Sequence, residues 1–191
     1  MMATLRGMNT FRWQFLAILL AGAIPAPQVL AKGFADEDRD WGVAAIPYLR
    51  GAPFTAPTPI SIPGANVVGT WGLKDILADA STNRHILIDV ASGEGHLTLP
   101  GAIWIPGAGR GTSFVDPVQS GFADLLGKMT SGDRQRPLAF FCVSAQCWLS
   151  YNAALRAVAA GYTRVYWYRG GIDAWRAAGL PLVAIDPTPA R

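Results

Sequence analysis

Cysteine and histidine are scarce, with two of each among the 191 residues. Two cysteines are too few for the disulfide framework that stabilises small secreted domains, and no Cys-x-x-Cys-His sequence is present to attach a haem. His85 begins an apolar segment and His96 follows it on a loop, so structural or solvent-facing roles explain them better than a zinc site shared with the cysteines. We therefore expect neither a bound metal ion nor another cofactor.

Charged residues are also few, at 15% of the chain, and no basic stripe with interleaved aromatic residues is present. The chain has 16 Lys and Arg against 13 Asp and Glu; two of the arginines fall in residues 1–31, which leaves 14 against 13. This near-neutral balance argues against a nucleic-acid partner. Gly107, Gly109 and Gly111 are not followed by Lys-Ser or Lys-Thr, so we interpret them as a flexible turn and not as a phosphate loop.

Long apolar runs are absent except near the amino terminus, where Phe15 to Leu20 is preceded by Arg6 and Arg12. Small residues at 29–31 then provide a cleavage site. Because a membrane span needs about 20 apolar residues, we expect residues 1–31 to be a cleaved signal peptide and the mature protein to be periplasmic. An uncleaved anchor is the alternative, and only that case predicts contact with a membrane.

Residues 32–65 have no helical or strand periodicity. Acidic residues cluster between positions 36 and 40, and prolines recur between positions 53 and 63. This composition predicts an extended Pro-rich arm packed on the domain, with Trp41, Tyr48 and Phe54 as anchors. A disordered linker is the alternative.

Residues 66–184 alternate between apolar strand-like runs and amphipathic helical segments, and residues 185–191 follow as a tail. This alternation predicts an α/β domain with a parallel sheet covered by helices on both faces. The predicted strands are 66–68, 85–90, 102–106, 138–141 and 165–168, and the predicted helices are 71–79, 122–129, 149–160 and 171–178. The segment 91–101 between the second and third strands is interpreted as a glycine-rich loop.

Both cysteines lie in the loop between the strand 138–141 and the helix 149–160. Cys142 comes directly after the strand, at the edge of a parallel sheet where ligands bind. A loop that enters a helix there directs several backbone N–H groups toward one point, which favours an anion. A thiolate at Cys142 would therefore be stabilised, as a reactive cysteine requires.

Several motifs in this order resemble a rhodanese domain, over roughly residues 65–184. They are Ile88-Asp89-Val90, Leu99 to Pro106, Phe141-Cys142, Gly161-Tyr162 and Tyr168 to Trp175. The resemblance implies a five-stranded parallel sheet and a Cys142 that carries sulfane sulfur as a persulfide. It implies that the amides of the loop cradle this sulfur and that Asp89 supports the loop by hydrogen bonds to its backbone. The expected substrate-binding residues are Val143, Ser144, Ala145, Gln146, Trp148 and Arg169.

The cysteine pair before Trp148, the leader and the Pro-rich arm resemble a narrower branch, the exported CXXCW-motif proteins associated with PQQ-dependent catabolism. Four residues separate Cys142 from Cys147 here, whereas the name of the branch has two. The resemblance implies a periplasmic accessory of a PQQ-dependent dehydrogenase system that oxidises alcohols.

Two positions depart from the wider family. Ala91 stands where an arginine often follows the Asp-Val pair, and Cys147 replaces a basic residue common at the end of the loop. The loop is thus poorly equipped to hold the thiosulfate dianion, although Arg169 could supply charge; Arg110 is better explained as a surface residue.

Three functions remain open. Cys142 could carry a persulfide between a small sulfur donor and a thiol acceptor, with Cys147 resolving or shielding it. Cys142 and Cys147 could cycle between dithiol and disulfide, with Cys142 as the attacking thiol. The pair could also form a static disulfide in a non-catalytic binding module.

Overall fold

The computed structural model describes residues 33–79 and 85–185. The predicted signal peptide at residues 1–31 and residues 186–191 of the predicted tail lie outside these ranges. The strands are β1 (Asn66–Val68), β2 (Ile86–Asp89), β3 (His96–Thr98), β4 (Ile103–Trp104), β5 (Leu138–Phe141), β6 (Val165–Tyr168) and β7 (Val183–Ile185), and the helices are α1 (Thr70–Ala78), α2 (Pro117–Thr130), α3 (Trp148–Ala159) and α4 (Gly171–Ala177). None of the helices in the described ranges combines the length and apolar character needed to cross a bilayer.

Five strands form one parallel sheet in the order β1-β6-β5-β2-β4. The prediction of a five-stranded parallel sheet is confirmed. β5 occupies the middle position, between β6 and β2, and all four of its residues are buried. The residues that follow β5 therefore emerge at the centre of the carboxyl edge of the sheet.

Alternate residues of the central strands face two separate cores, as a sheet buried on both faces requires. Ile88 and Phe140 pack with α2 and α3 in one core, whereas Leu87 and Phe141 pack with α1 and α4 in the other. The prediction of helices on both faces is confirmed. Four tryptophans, Trp104, Trp148, Trp167 and Trp175, are at most 5% exposed.

A two-stranded antiparallel sheet was not predicted. β3 lies within the segment 91–101 that the sequence indicated to be a loop, and it pairs with β7. Each strand has only three residues, and Leu97 and Val183 are exposed, so neither strand is long enough to show the period from which strands are recognised.

The glycine-containing segment 107–111 includes a turn, as predicted, closed by the Arg110 amide on the Gly107 carbonyl at 2.9 Å, but its close packing contradicts the prediction that it is flexible. A Cβ atom at Gly109 would collide with the carbonyl oxygen of Leu149 in α3, and the Asn152 side chain donates to the Gly109 carbonyl at 2.9 Å. The fully buried guanidinium of Arg156 in α3 also donates to the Arg110 carbonyl. Glycine is needed at position 109 because helix and loop touch through their backbones.

The described part of the arm, residues 33–65, packs on the domain as an extended chain. Trp41 stacks with the guanidinium of Arg169, 4.7 Å from its ring centroid, and Phe54 packs against the core of α2 and α3. Tyr48 is 60% exposed, so its predicted role as an anchor is wrong. Leu49 and Ile62, at 5% and 7% exposure, are the buried apolar residues of the arm.

Candidate functional site

Cys142 is the first residue after β5, and the start of α4 holds it in place. The amide of Ile172 donates to the Cys142 carbonyl at 3.0 Å, and the amide of Asp173 donates to the Val143 carbonyl at 2.8 Å. Gly171 has a φ of +61°, and a Cβ atom there would collide with the Cys142 carbonyl oxygen. The position thus requires glycine both for its backbone conformation and for space.

Cys142 and Cys147 form a disulfide, with an S–S distance of 2.07 Å and a Cα–Cα distance of 6.2 Å. The loop therefore permits the closure that the sequence had left open. Cys142 is only 2% exposed, whereas Cys147 is partly exposed. Cys147 is thus the more accessible of the two sulfur-bearing residues, whereas the sequence predicted Cys142 as the attacking thiol.

The amides of the loop do not all converge on the Cys142 sulfur. The amide of Cys147 donates to the Ser144 carbonyl at 3.1 Å, that of Gln146 to the Ser144 hydroxyl at 3.2 Å, and that of Trp148 to the Phe54 carbonyl at 2.8 Å. The amides of Val143, Ser144 and Ala145 make no hydrogen bond within the described ranges. The amides of Gln146, Cys147 and Trp148 are therefore committed elsewhere, and of the cradle predicted from Val143 to Trp148 only the amides of Val143, Ser144 and Ala145 remain available.

Residues 54–58 of the arm, here called the arm segment, lie antiparallel to the loop. Thr55 pairs with Cys147, and the Ala56 amide donates to the Gln146 carbonyl at 2.9 Å. The hydroxyl of Thr58, which is fully buried, donates to the Ala145 carbonyl at 2.6 Å. The arm segment therefore forms one wall of the site, a role that sequence reasoning missed.

Arg169 was predicted to supply positive charge to the loop, but its guanidinium is bonded elsewhere. It is 1% exposed, and its guanidinium donates five hydrogen bonds: to the hydroxyl and carbonyl of Thr58 and to the carbonyls of Asp36, Glu37 and Arg39. Burial lowers the pKa of Arg169, and Asp40, Asp36 and Asp38 oppose that shift. Arg169 reaches the loop only through Thr58, which bonds to both.

Trp148 and Ala145 do not face substrate either. Both are 2% exposed, and neither lines the cavity beside the disulfide. The Trp148 indole donates to the Pro57 carbonyl at 3.1 Å, and its ring packs against Tyr151. Their predicted substrate-binding roles are replaced by contacts with the arm, while Val143, Ser144 and Gln146 do line the cavity.

Asp89 is fully buried and organises the segment that follows β2. Its carboxylate accepts from the Ala91 amide at 2.8 Å and from the Thr98 hydroxyl at 2.6 Å, and it lies 2.7 Å from the His96 ring nitrogen. These contacts fix the segment 91–98, which contributes Ser92 to the site. Ser92 could not be identified from the sequence because a lone serine belongs to no motif.

A cavity of about 350 Å³ lies over the disulfide. Loop residues form its floor, and Phe54, Thr55, Ser92 and Leu149 form its walls. A second cavity of about 240 Å³, with Ser92 and Val143 in common, contains His96, Asp173 and Arg176. No charged side chain lines the first cavity, and the described ranges hold no group of three or more His, Cys, Asp or Glu that could bind a metal ion.

The fold and this loop define an α/β protein with a cysteine pair at the carboxyl end of its central strand. The chain belongs to the rhodanese-like domain family, whose sequence model matches residues 73–178, more than half of its length. No curated protein sequence matches it significantly.

Several solved structures are similar to the chain at low identity. An uncharacterized protein from Saccharomyces cerevisiae is 20% identical, with a TM-score of 0.45 over 60% of this chain and 93% of that one. A full-length protein from Lactobacillus plantarum is 19% identical, with a TM-score of 0.44 over 59% and 85%. A thiosulfate sulfurtransferase from Pseudomonas aeruginosa is 17% identical, with a TM-score of 0.44 over 62% and 20%.

Proposed function

We propose that the protein catalyses thiol–disulfide exchange with the Cys142–Cys147 pair on a rhodanese-like frame. The observation that carries this proposal is the disulfide itself, which joins the cysteine after the central strand to the last residue of its loop. The partial exposure of Cys147 and the cavity above the pair give an external thiol access to the bond.

The reaction proceeds by two displacements. A thiolate from solvent attacks the Cys147 sulfur, the S–S bond breaks, and Cys142 leaves as a thiolate. The uncommitted amides of Val143, Ser144 and Ala145 are the groups that stabilise this thiolate. A second substrate thiolate then attacks the substrate sulfur of the mixed disulfide and releases Cys147. Two substrate thiols are thus oxidised to one disulfide, and the protein pair is reduced to a dithiol. The reverse displacements on another substrate disulfide restore the Cys142–Cys147 bond and release that substrate as two thiols, which completes the cycle.

Redox titration of the mature protein tests the proposal. We expect reversible reduction at a potential in the range of exchange proteins, about −270 to −120 mV. Mass analysis after incubation of Cys142→Ser with an oxidised small disulfide should detect an adduct on Cys147. A potential below about −300 mV would identify a static structural disulfide and contradict the proposal.

A persulfide on Cys142 is the second candidate function. It is supported by the family and by the position of Cys142, which begins a loop whose first three amides are uncommitted. In this cycle Cys147 would attack the inner sulfur of the persulfide, form the observed disulfide and expel hydrosulfide. Mass analysis of Cys147→Ser after exposure to a polysulfide tests it: added sulfur on Cys142 supports the persulfide, and its absence excludes it.

Export and pathway are further parts of the proposal. The leader at residues 1–31 supports a periplasmic location, and the order of the cysteine pair, Trp148 and the arm supports a role beside a PQQ-dependent dehydrogenase. Fractionation of cells followed by mass analysis of the amino terminus tests the location. Loss of growth on an alcohol after deletion, with restoration by wild type but not by Cys142→Ser, tests the role.

A further inference from the structure

The arm segment takes up the first amide of α3, which is one of the donors at the start of this helix. The first amides of a helix attract anions because of their unpaired N–H groups and the helix dipole. Here the amide of Trp148, the first residue of this 12-residue helix, already donates to the Phe54 carbonyl at 2.8 Å. That amide is therefore unavailable to an anionic group of a substrate, and the uncommitted amides of Val143, Ser144 and Ala145 are the ones proposed to hold the Cys142 thiolate.

The cations around the site are also committed to other partners. Arg169 is saturated by arm carbonyls and by Thr58, and the Arg50 guanidinium stacks on Trp148 at 4.7 Å from the ring centroid. In the neighbouring cavity, Arg176 pairs with Asp173 at 3.0 Å and His96 lies against the Asp89 carboxylate. No cation thus lines the cavity over the disulfide to compensate for the lost amide.

The arm segment is held rigidly enough to act as a wall. Thr58 is fully buried, accepts from the Arg169 guanidinium at 3.0 Å and donates to the Ala145 carbonyl at 2.6 Å. The Ala56 amide bonds to the loop at Gln146. Phe54 and Thr55 accordingly remain beside the cysteine pair and contribute an apolar ring and a neutral hydroxyl to the cavity.

We infer that the arm segment makes the site selective for uncharged thiols and disulfides over anionic ones. This inference rests on the proposed thiol–disulfide exchange and adds the substrate class. Phe54 and Thr55 determine the selectivity because one occupies the helix amide through its carbonyl and the other lines the cavity without charge.

The test compares the rates at which 2-mercaptoethanol and 2-mercaptoethanesulfonate reduce the Cys142–Cys147 bond in the full mature chain. Rate constants are expressed per thiolate and divided by those for a small model disulfide, which removes the intrinsic difference between the reagents. We expect the uncharged thiol to react at least about fivefold faster in relative terms, since the cavity offers the sulfonate no cation to compensate for its lost hydration. Equal relative rates would overturn the inference and leave the proposed function intact, whereas no reaction with either thiol would overturn the proposed function.

The second part of the experiment uses substitutions in the cavity wall. Thr55→Lys places a cation on the cavity wall and should remove most of the preference, and Ser92→Lys should do so from the opposite wall if the first variant folds poorly. Gln135→Lys is the matched control, because position 135 is exposed and precedes the amino end of β5. A preference that persists in both cavity variants, or that falls equally in the control, would overturn the assignment to this cavity.

Discussion

Thr58 is the residue through which the arm acts on the loop, and its replacement by valine is the sharpest test of that connection. Valine has nearly the same shape as threonine and lacks the hydroxyl. The change would remove the donor to the Ala145 carbonyl at 2.6 Å and the acceptor for the Arg169 guanidinium at 3.0 Å, with Thr58, Ala145 and Arg169 all at most 2% exposed.

The magnitude follows from the two groups left without a partner. An unsatisfied buried carbonyl costs about 1–3 kcal/mol, and a hydrogen bond to a charged group contributes about 1.5–3 kcal/mol. Arg169 retains its bond to the Thr58 carbonyl, so part of the second contribution survives. We expect Thr58→Val to lower the free energy of unfolding by about 2–4 kcal/mol, a large fraction of the 5–15 kcal/mol that is usual for a domain.

Urea unfolding of the oxidised protein measures the effect. At a slope of about 2 kcal/mol per M, the midpoint should fall by about 1–2 M. Thr163→Val is the matched control, because its exposed hydroxyl lies 3.5 Å from the Arg134 carbonyl; its free energy should change by less than about 0.5 kcal/mol. A loss below about 0.5 kcal/mol for Thr58→Val would show that the arm is not coupled to the loop in this way.

Two further substitutions test the framework of the site. Gly171→Ala should make dithiothreitol reduce the Cys142–Cys147 bond faster, because the added Cβ displaces the Cys142 carbonyl. Gly132→Ala is the control for backbone strain, because Gly132 has a φ of +79° and open space around it. Equal reduction rates in the two variants would contradict the reasoning. The Arg156 ion pair at 2.8 Å lowers the pKa of Asp116, so it contributes stability that is full above the ordinary value of 3.8 and is lost as the pH falls below it. Asp116→Asn should reduce the dependence of the free energy of unfolding on pH below about 4 and should lower that free energy by up to about 3–5 kcal/mol at neutral pH. An unchanged pH dependence would show that other carboxylates cause it.

The sheet and helices were predictable because their residues repeat with the period of the element. Four-residue apolar runs such as Leu138–Phe141 and the stripe from Trp148 to Val158 indicate a strand and a helix before any contact is known. The position of Cys142 followed from these elements. β3 and β7 were not predictable, because three exposed or mixed residues show no period.

The contacts of the arm could not be predicted, because they are made mostly through backbone groups. The carbonyls of Phe54, Pro57 and Arg39 bind Trp148 and Arg169, and any residue type offers the same carbonyl. Arg169 was misassigned for this reason: its place beside the Gly-Gly turn suggested a free cation, whereas its partners lie 111 to 133 positions away along the chain.

The same contacts explain why the arm belongs to the domain although the family model begins at residue 73. α3 carries Tyr151 and Asn152 in its buried face, and polar groups there need partners. The Tyr151 hydroxyl exchanges hydrogen bonds with the Ile46 backbone, and the Asn152 amide does so with the Arg50 backbone. Without the arm these side chains and the Trp148 amide would lose these partners together, and Asn152 would keep its bond to the Gly109 carbonyl. The arm that completes the polar contacts of α3 therefore also occupies the first amide of that helix, so the stability of the site and its proposed selectivity depend on the same arm.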